Sequence, residues 1–408
     1  MQLRVGDSSM PLPEGRVLVV GAGKAAVPMA AAAERLLGSR IADGMVITQE
    51  GHGLPLDHVR VCEAGHPLPD SRGLESTKEL LGMVSAAGAN DLIVCLISGG
   101  ASALMVQPAT ELDLGHLQRT TELLLASGAP IEDINTIRKH LSAVKGGRLA
   151  AAARPAALLT LMLSDVIGND PTAIGSGPTV PDPTSFADCV AVVERYGLLE
   201  ALPAEVLERL RRGALGEIQE TPTAESSVFE RVVNQLVGDN SRALAAASLR
   251  AEDLGYRPFV LTSRLQGEAR SVGRRLAAIG ATCSGMADSP ACLLAGGETT
   301  VTLRGEGRGG RNQEAALAAA IHLEGAAGVT FAAIGTDGMD GPTDAAGAFA
   351  DGRTVGRGRA GGLDAADFLL ANDSYTFFTE LGDLVRTGPT RTNVMDLQIV
   401  LVGATAHG

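Results

Sequence analysis

Residues 17–27 pass from Val17-Leu-Val-Val through Gly21-Ala-Gly-Lys24 directly into a helical pattern, and this strand–turn–helix joint constrains the fold more than any other feature. A buried strand that enters a helix through glycine opens a βαβ unit, and repeated units make a sheet covered by helices. Comparable aliphatic runs lie at 45–48, 59–62, 92–97 and 157–163, separated by helical patterns. A second series lies at 228–236, 258–261, 292–295, 301–303, 329–334 and 394–402, after the polar stretch 213–227. Asp70, Asp113 and Asp239 stand where helix N-caps are expected. Their helices should bury Leu74, Leu81 and Val84, then Leu117, Leu124 and Leu125, then Leu244, Ala247 and Leu254. Val272, Leu276 and Ile279 mark another apolar helix face. The expected fold is α/β: two three-layer domains with mostly parallel or mixed sheets, the first Rossmann-like. The boundary is expected near residue 225, giving domains 1–225 and 226–408 within the 408 residues.

With no Trp and three Tyr, the core must be built from Ala, Leu, Val and Ile. A formal charge of −13 argues against a nucleic-acid partner, which requires excess Lys and Arg. It leaves room for a small anion, because a few basic groups can line one cleft of an acidic protein. Five scattered cysteines without a CxxC motif fit reduced thiols, and no secretory leader is recognisable, so a cytoplasmic protein is expected. The uncharged run 92–110 contains Gly99, Gly100 and Pro108 and reads as strand, turn and helix start, not as a membrane span.

Several loops carry candidate chemistry. Glycines at 21 and 23 allow close approach of an anion to a helix N-terminus, and Lys24 adds a full charge there. Because the pattern is G-x-G-x-x-A, it fits a dinucleotide fingerprint, with Glu50 as ribose acid, as well as a phosphate loop. A plain turn with a solvated lysine is the other alternative. Ser98-Gly99-Gly100-Ala-Ser102 ends another apolar run and forms a second nest, or simply two capping serines. In the stretch 135–148, Arg138, Ser142 and Lys145 fall at spacings that suit one basic helical face, either solvated or turned to a phosphate. Asp165 follows a strand and suits Mg²⁺ or an Asx turn. Gly296-Gly297-Glu298 precedes the strand candidate at 301–303. Arg311 sits at a helix start, where a cation is locally unfavourable and so a functional candidate. Asp337-Gly338-Met-Asp340 offers Mg²⁺ or ribose contacts through Asp337, with Asp340 and Asp344 as ordinary turn acids. The seven histidines show no zinc-site spacing, and neither a Walker A motif nor a G-x-S-x-G elbow is present.

Seven motifs in order, at 21–26, 63–70, 98–104, 135–149, 164–179, 309–314 and 335–344, followed by Thr387-Gly-Pro-Thr-Arg391-Thr-Asn393-Val-Met-Asp396-Leu, resemble the glycerate 2-kinases whose second half is the MOFRL domain. That family is sometimes labelled hydroxypyruvate reductase. The resemblance runs from Val17 to about Val402, with a MOFRL region at about 290–402. One departure is the short stretch of about sixteen residues before the first strand, where the family carries a helical segment. The resemblance implies transfer of phosphoryl from ATP, with Mg²⁺, to glycerate, giving 2-phosphoglycerate in a cleft between two domains. It also makes Lys24 and Arg311 similar to the family's two catalytic basic residues. On this reading Gly23, Ser98, Gly99, Gly100, Ser102 and Arg138 hold glycerate, while Gly297, Glu298, Asp337 and Gly338 hold the nucleotide. Asp165 and Asp337 are the candidate metal ligands. Glycerate and ATP are the expected partners, without nucleic acid or membrane, and a homodimer is compatible with the sequence. The alternatives are an NAD(P)-dependent reductase, with His66 as its acid–base, and a non-catalytic sugar-acid or nucleotide-binding regulator.

Overall fold

The structure is a computed structural model describing residues 2–6, 8–11, 14–284 and 290–403. The chain divides into two units, Met1–Val237 and Gly238–Gly408. In the first, a hairpin of β1 (Gln2–Val5) and β2 (Ser8–Pro11) precedes the main sheet. That sheet contains β3 (Val17–Ala22), β4 (Ile41–Gln49), β5 (Arg60–Ala64), β6 (Leu92–Ile97), β7 (Ala157–Leu163) and β8 (Val232–Gly238), in the order β5-β4-β3-β6-β7-β8. The helices are α1 (Ala26–Leu37), α2 (Ser71–Ser85), α3 (Ala101–Leu104), α4 (Leu114–Ala126), α5 (Ile131–His140), α6 (Arg148–Ala153), α7 (Phe186–Arg195) and α8 (Ala204–Ala214). Numbered within the sheet, the order is 3-2-1-4-5-6, the doubly wound order that bears out the Rossmann-like expectation. Both neighbours of β3 run parallel to it, and the order in which strands are added reverses between β3 and β6. Connections leave that point toward opposite sides of the sheet, which opens a crevice at the strands' carboxyl ends.

Packing follows the period of two. Leu18 and Val20 join one apolar cluster with Leu80 and Val84 of α2, while Val17 and Val19 join another with Val27 and Ala30 of α1. The three layers follow directly. Asp70 and Asp113 cap α2 and α4 as expected, accepting from the Gly73 and His116 N–H groups at 3.0 and 2.9 Å. The buried stripes are narrower than the sequence suggests: Leu80 and Val84 are enclosed in α2 and Leu124 in α4, but Leu125 is exposed.

Two strand assignments are corrected, the first at the end of this unit. Residues 228–236 do not open the second unit, because β8 closes the first sheet beside β7, where the Leu158 N–H donates to the Arg231 carbonyl at 2.9 Å. The polar stretch 213–227 therefore returns the chain to its own sheet, with Val228, Phe229 and Val232 packed against the first unit's core.

The second unit contains α9 (Asn240–Asp253), β9 (Arg257–Leu265), α10 (Ala269–Ser284), β10 (Ala291–Gly297), α11 (Arg311–Leu323), β11 (Val329–Gly335), β12 (Gly347–Asp351), α12 (Thr354–Ala360), α13 (Ala365–Leu370), α14 (Ser374–Leu381), β13 (Leu384–Val385) and β14 (Asp396–Val402). Asp239 caps α9 through the Arg242 N–H at 2.9 Å, but Leu254 and Ile279 lie exposed, off the buried faces. The sheet order is β13-β12-β11-β14-β10-β9, with only β9 and β10 parallel. The final strand, β14, inserts between β10 and β11 and is antiparallel to both, so Asp396 pairs with Gly297 on one side and Gly335 on the other. Residues 301–303 form a loop, not a strand. Their polar groups are taken by side chains: Glu268 accepts from Thr302, and the Asn372 Oδ1 accepts from the Arg304 and Gly305 N–H groups.

Scarcity of aromatics lets α10 and α11 approach closely: a Cβ at Gly273 would lie 2.0 Å from the Ala315 carbonyl oxygen. Gly273→Ala is expected to cost about 1–3 kcal/mol by forcing these helices apart, read as a lower urea midpoint with an unchanged slope.

Candidate active site

The first candidate site is built where β3 and β6 end. Gly23 adopts φ +131°, and a Cβ there would fall 2.2 Å from the Ser98 hydroxyl. Such a backbone is open to glycine alone, and it brings the two loops into contact. The Lys24 N–H donates to the Gly99 carbonyl at 2.8 Å and the Ala25 N–H to the Ser98 Oγ at 3.0 Å. Ser98 is fully buried, so the hydroxyl expected to face a ligand instead joins the loops. Gly100, at φ +85°, provides a floor: its missing side chain leaves room for the Lys24 stem and the His66 ring, whose nearest atoms lie 3.6 and 3.1 Å from an ideal Cβ. Ala25 occupies the cap position of α1 without a side-chain cap, and the first turn carries no acid. That end retains the positive pole that favours an anion.

A cavity of about 350 Å³ adjoins this loop and is lined by His66, Gly100, Ser102, Gln118, Arg138 and Lys145, among others. The basic stretch does not form one helical face, as the sequence suggests. Helix α5 stops at His140, and the buried Ser142 hydroxyl turns the chain by accepting from the N–H groups of Val144 and Lys145. Nor are its cations solvated. Lys139 is paired with the buried Asp182 at 3.2 Å, and Lys145 is 3% exposed, donating to the Ser102 and Met105 carbonyls at 2.7 and 3.0 Å. Burial, then the nearby Arg138 charge, brings the Lys145 ammonium down to about 7. Ser102 shares a 2.8 Å hydrogen bond with Ser176, which donates to the Asn135 Oδ1. Glu50, the acid of the dinucleotide alternative, directly follows β4 but is paired with Arg72 at 3.1 Å.

A second cluster lies at the head of β14. Asp396, fully buried, holds Arg311 through two bonds, from Nε at 2.6 Å and from Nη2 at 2.9 Å. Glu298, about 43% exposed, takes the remaining Nη1 edge at 2.7 Å. Burial alone would lower the Arg311 pKa, but the bonds and charges of Asp396, Glu298 and Asp340 raise it well above the ordinary arginine value. An external anion is not what occupies the α11 start. Asp340 does, accepting from the Asn312 and Gln313 N–H groups at 3.0 and 2.8 Å, while burial pushes its carboxyl up to about 6. Asp340 is therefore no ordinary turn acid, and Asp344 instead bonds the half-buried Tyr375 and the exposed Arg386. Gly338 closes against the Gly388 carbonyl, and Asp337 accepts from the Met339 N–H at 3.1 Å. Gly297 ends β10 against Leu265. Asp165 lies half-buried after β7. Among the described residues no group of three or more His, Cys, Asp or Glu could hold a metal, so neither Asp165 nor Asp337 belongs to an all-protein cage.

Four participants had other roles, or none, in the sequence reading: Lys145 stood in a basic helical face, Asp340 was a turn acid, Asp396 appeared only within the closing motif, and His66 was the acid–base of the reductase alternative. Asp396 had a visible signal, an acid at the head of an alternating apolar strand inside the closing motif.

A doubly wound sheet with a cation-lined cavity at its switch point defines the class, an α/β protein with a basic pocket at the carboxyl ends of its strands. Residues 3–211 match the family described as Domain of unknown function (DUF4147) and residues 291–396 match the MOFRL family, and the chain belongs to the family that these matches define. It is 43% identical over 391 residues to the D-glycerate 2-kinase of Thermotoga maritima, covering 95% of this chain and 91% of that one. It is 41% identical to the glycerate 2-kinase of Pyrococcus horikoshii, at 95% and 88% coverage. An Agrobacterium vitis protein named "Putative hydroxypyruvate reductase" is 46% identical, at 96% and 88% coverage. The crystal structure of the Thermotoga maritima glycerate kinase superposes with a TM-score of 0.87 at 42% identity, covering 95% of this chain and 91% of that one. No helix among the described residues is long and apolar enough to cross a membrane.

Proposed function

We propose that this chain transfers the γ-phosphoryl group of ATP to the 2-hydroxyl of glycerate, giving 2-phosphoglycerate and ADP, in the cytoplasm. The observation that carries this reading is the junction of an uncapped helix start, Lys24 and a cation-lined cavity at Gly100, in a chain alignable over nearly its whole length with glycerate 2-kinases. Direct phosphoryl transfer needs alignment and charge neutralisation more than a covalent nucleophile, and those are what these residues offer. Lys24 meets the transferring phosphoryl at the positive end of α1. Gly23, Ser98 and Gly99 fix the loop, while Gly100, Ser102 and Arg138 receive the acid. Arg311 is held in place by Asp396, and its Nη1 edge donates to a phosphoryl oxygen as the half-exposed Glu298 moves aside. Gly297, Glu298, Asp337 and Gly338 form the nucleotide side. Mg²⁺ fits the donor set only as an ion carried on nucleotide phosphates, which requires one or two carboxylates, supplied by Asp337 and Asp165. When bound, it neutralises phosphate charge.

The test is an assay with glycerate and Mg-ATP coupled to enolase, which consumes 2-phosphoglycerate, beside a second with hydroxypyruvate and NADH. ADP release that depends on glycerate, with an enolase signal, is the expected result. NADH oxidation without ADP release would overturn the proposal.

A further inference from the structure

The lining of the cavity beside Gly100 contains two cations and no carboxylate. Burial is the only influence that shifts the Arg138 guanidinium, whose pKa it lowers, with no acceptor or acid to offset it. Lys145 donates only to neutral carbonyls, those of Ser102 and Met105. An ammonium has three N–H groups, so one remains beyond those two bonds. A buried Lys145 ammonium and a half-buried Arg138 guanidinium without an acid are unfavourable until an anion arrives, because neither fully recovers its lost hydration. The partner is therefore expected to come with the ligand.

We infer that Lys145 is a substrate-binding and specificity-determining residue, which with Arg138 brackets the carboxylate of the acceptor acid. This rests on the glycerate reading. Its two carbonyl bonds join Lys145 to both ends of α3, the turn that follows Gly100, so the third N–H has a fixed direction. The carboxylate is thereby set at a fixed distance from the Lys24 loop. Acceptors without a carboxylate leave both cations unpaired, so the pocket discriminates against glycerol and glyceramide.

Lys145→Met removes the charge at similar length, and Lys145→Arg keeps it. A lost charged hydrogen bond corresponds to roughly 10- to 100-fold. Lys145→Met is expected to raise the KM for glycerate by about that factor with a much smaller change in kcat, and to reduce the glycerate-to-glyceramide ratio of kcat/KM equally. Lys145→Arg should retain the preference. The pH dependence supplies a readout that a structural role would not move. The cation is present at low pH and lost as pH rises through about 7, so wild-type affinity for glycerate should weaken above that point. The other titratable groups lining the cavity are His66 and Arg138. Both are unchanged in Lys145→Arg, so loss of the pH limb in that variant assigns it to Lys145. An unchanged KM and substrate ratio in a folded Lys145→Met, or a limb that persists in Lys145→Arg, would overturn the inference. If Lys145→Met does not fold, the Lys145→Arg pH profile decides. Calorimetry with glycerate and lactate, without nucleotide, separates the two readings. Carboxylate binding that depends on Lys145 without turnover sinks the kinase reading alone; turnover with binding indifferent to Lys145 sinks the pocket alone.

Discussion

A Lys24→Ala enzyme is expected to lose about 10²–10³-fold in kcat for glycerate, the range seen when one group that stabilises transition-state charge is removed. Its thermal transition should remain close to that of the wild type. The two expectations have separate causes. The Lys24 backbone N–H bonds the Gly99 carbonyl, and alanine keeps that bond. Close packing of the loops depends on Gly23 and Ser98, which the substitution leaves alone. The side chain is half-buried, and replacing such a surface lysine shifts stability by about 0.5 kcal/mol or less. A phosphoryl group in flight, by contrast, needs its spreading charge met at that point. Steady-state kinetics and a melting curve on the same preparation check both halves. Near-normal kcat would remove Lys24 from the mechanism, whereas a lowered melting point would mean that the loop and not the charge had been damaged.

The Lys24 loop was legible because its determinants are local. Strand, glycines and helix start lie within eleven consecutive residues, 17–27, and the joint at 92–104 repeats the pattern. Caps at Asp70, Asp113 and Asp239 were legible for the same reason, since each bonds an N–H three residues on. What escaped depends on pairing through space. A strand's period of two says which residues are buried but not which strand lies alongside, so β8 read as the start of a new unit although it completes the first sheet. Spacing along 138–145 suggested a continuous helix; the Ser142 hydroxyl ended it and put Lys145 inside. At α11 the cap residue, Gly310, has no side chain, and its cap comes from Asp340, 28 residues from Asn312. Nothing near Arg311 in the sequence announces that acid.

The same long-range pairing makes Arg311 unlike Lys24 in how it should fail. Arg311→Leu is expected to abolish most activity and also to destabilise the second unit by about 3–5 kcal/mol, the cost of leaving a buried charge without its partner. Asp396 is that charge: it is fully buried at the head of the central strand, and both of its oxygens are bonded to Arg311. Glu298 cannot take over, since it carries the same sign. Asp396→Leu alone is milder for the fold, because Arg311 keeps Glu298 and is itself about one-third exposed. Its activity should still fall, since the guanidinium is no longer aimed. In the double variant Arg311→Leu, Asp396→Leu no charge is stranded, and most of the lost stability should return while activity stays absent. Urea unfolding of the four proteins, with the glycerate assay on each, checks the cycle. A double variant as unstable as Arg311→Leu would show that the ion pair was not the source of the loss. An active Arg311→Leu enzyme would leave the pair with a structural role only.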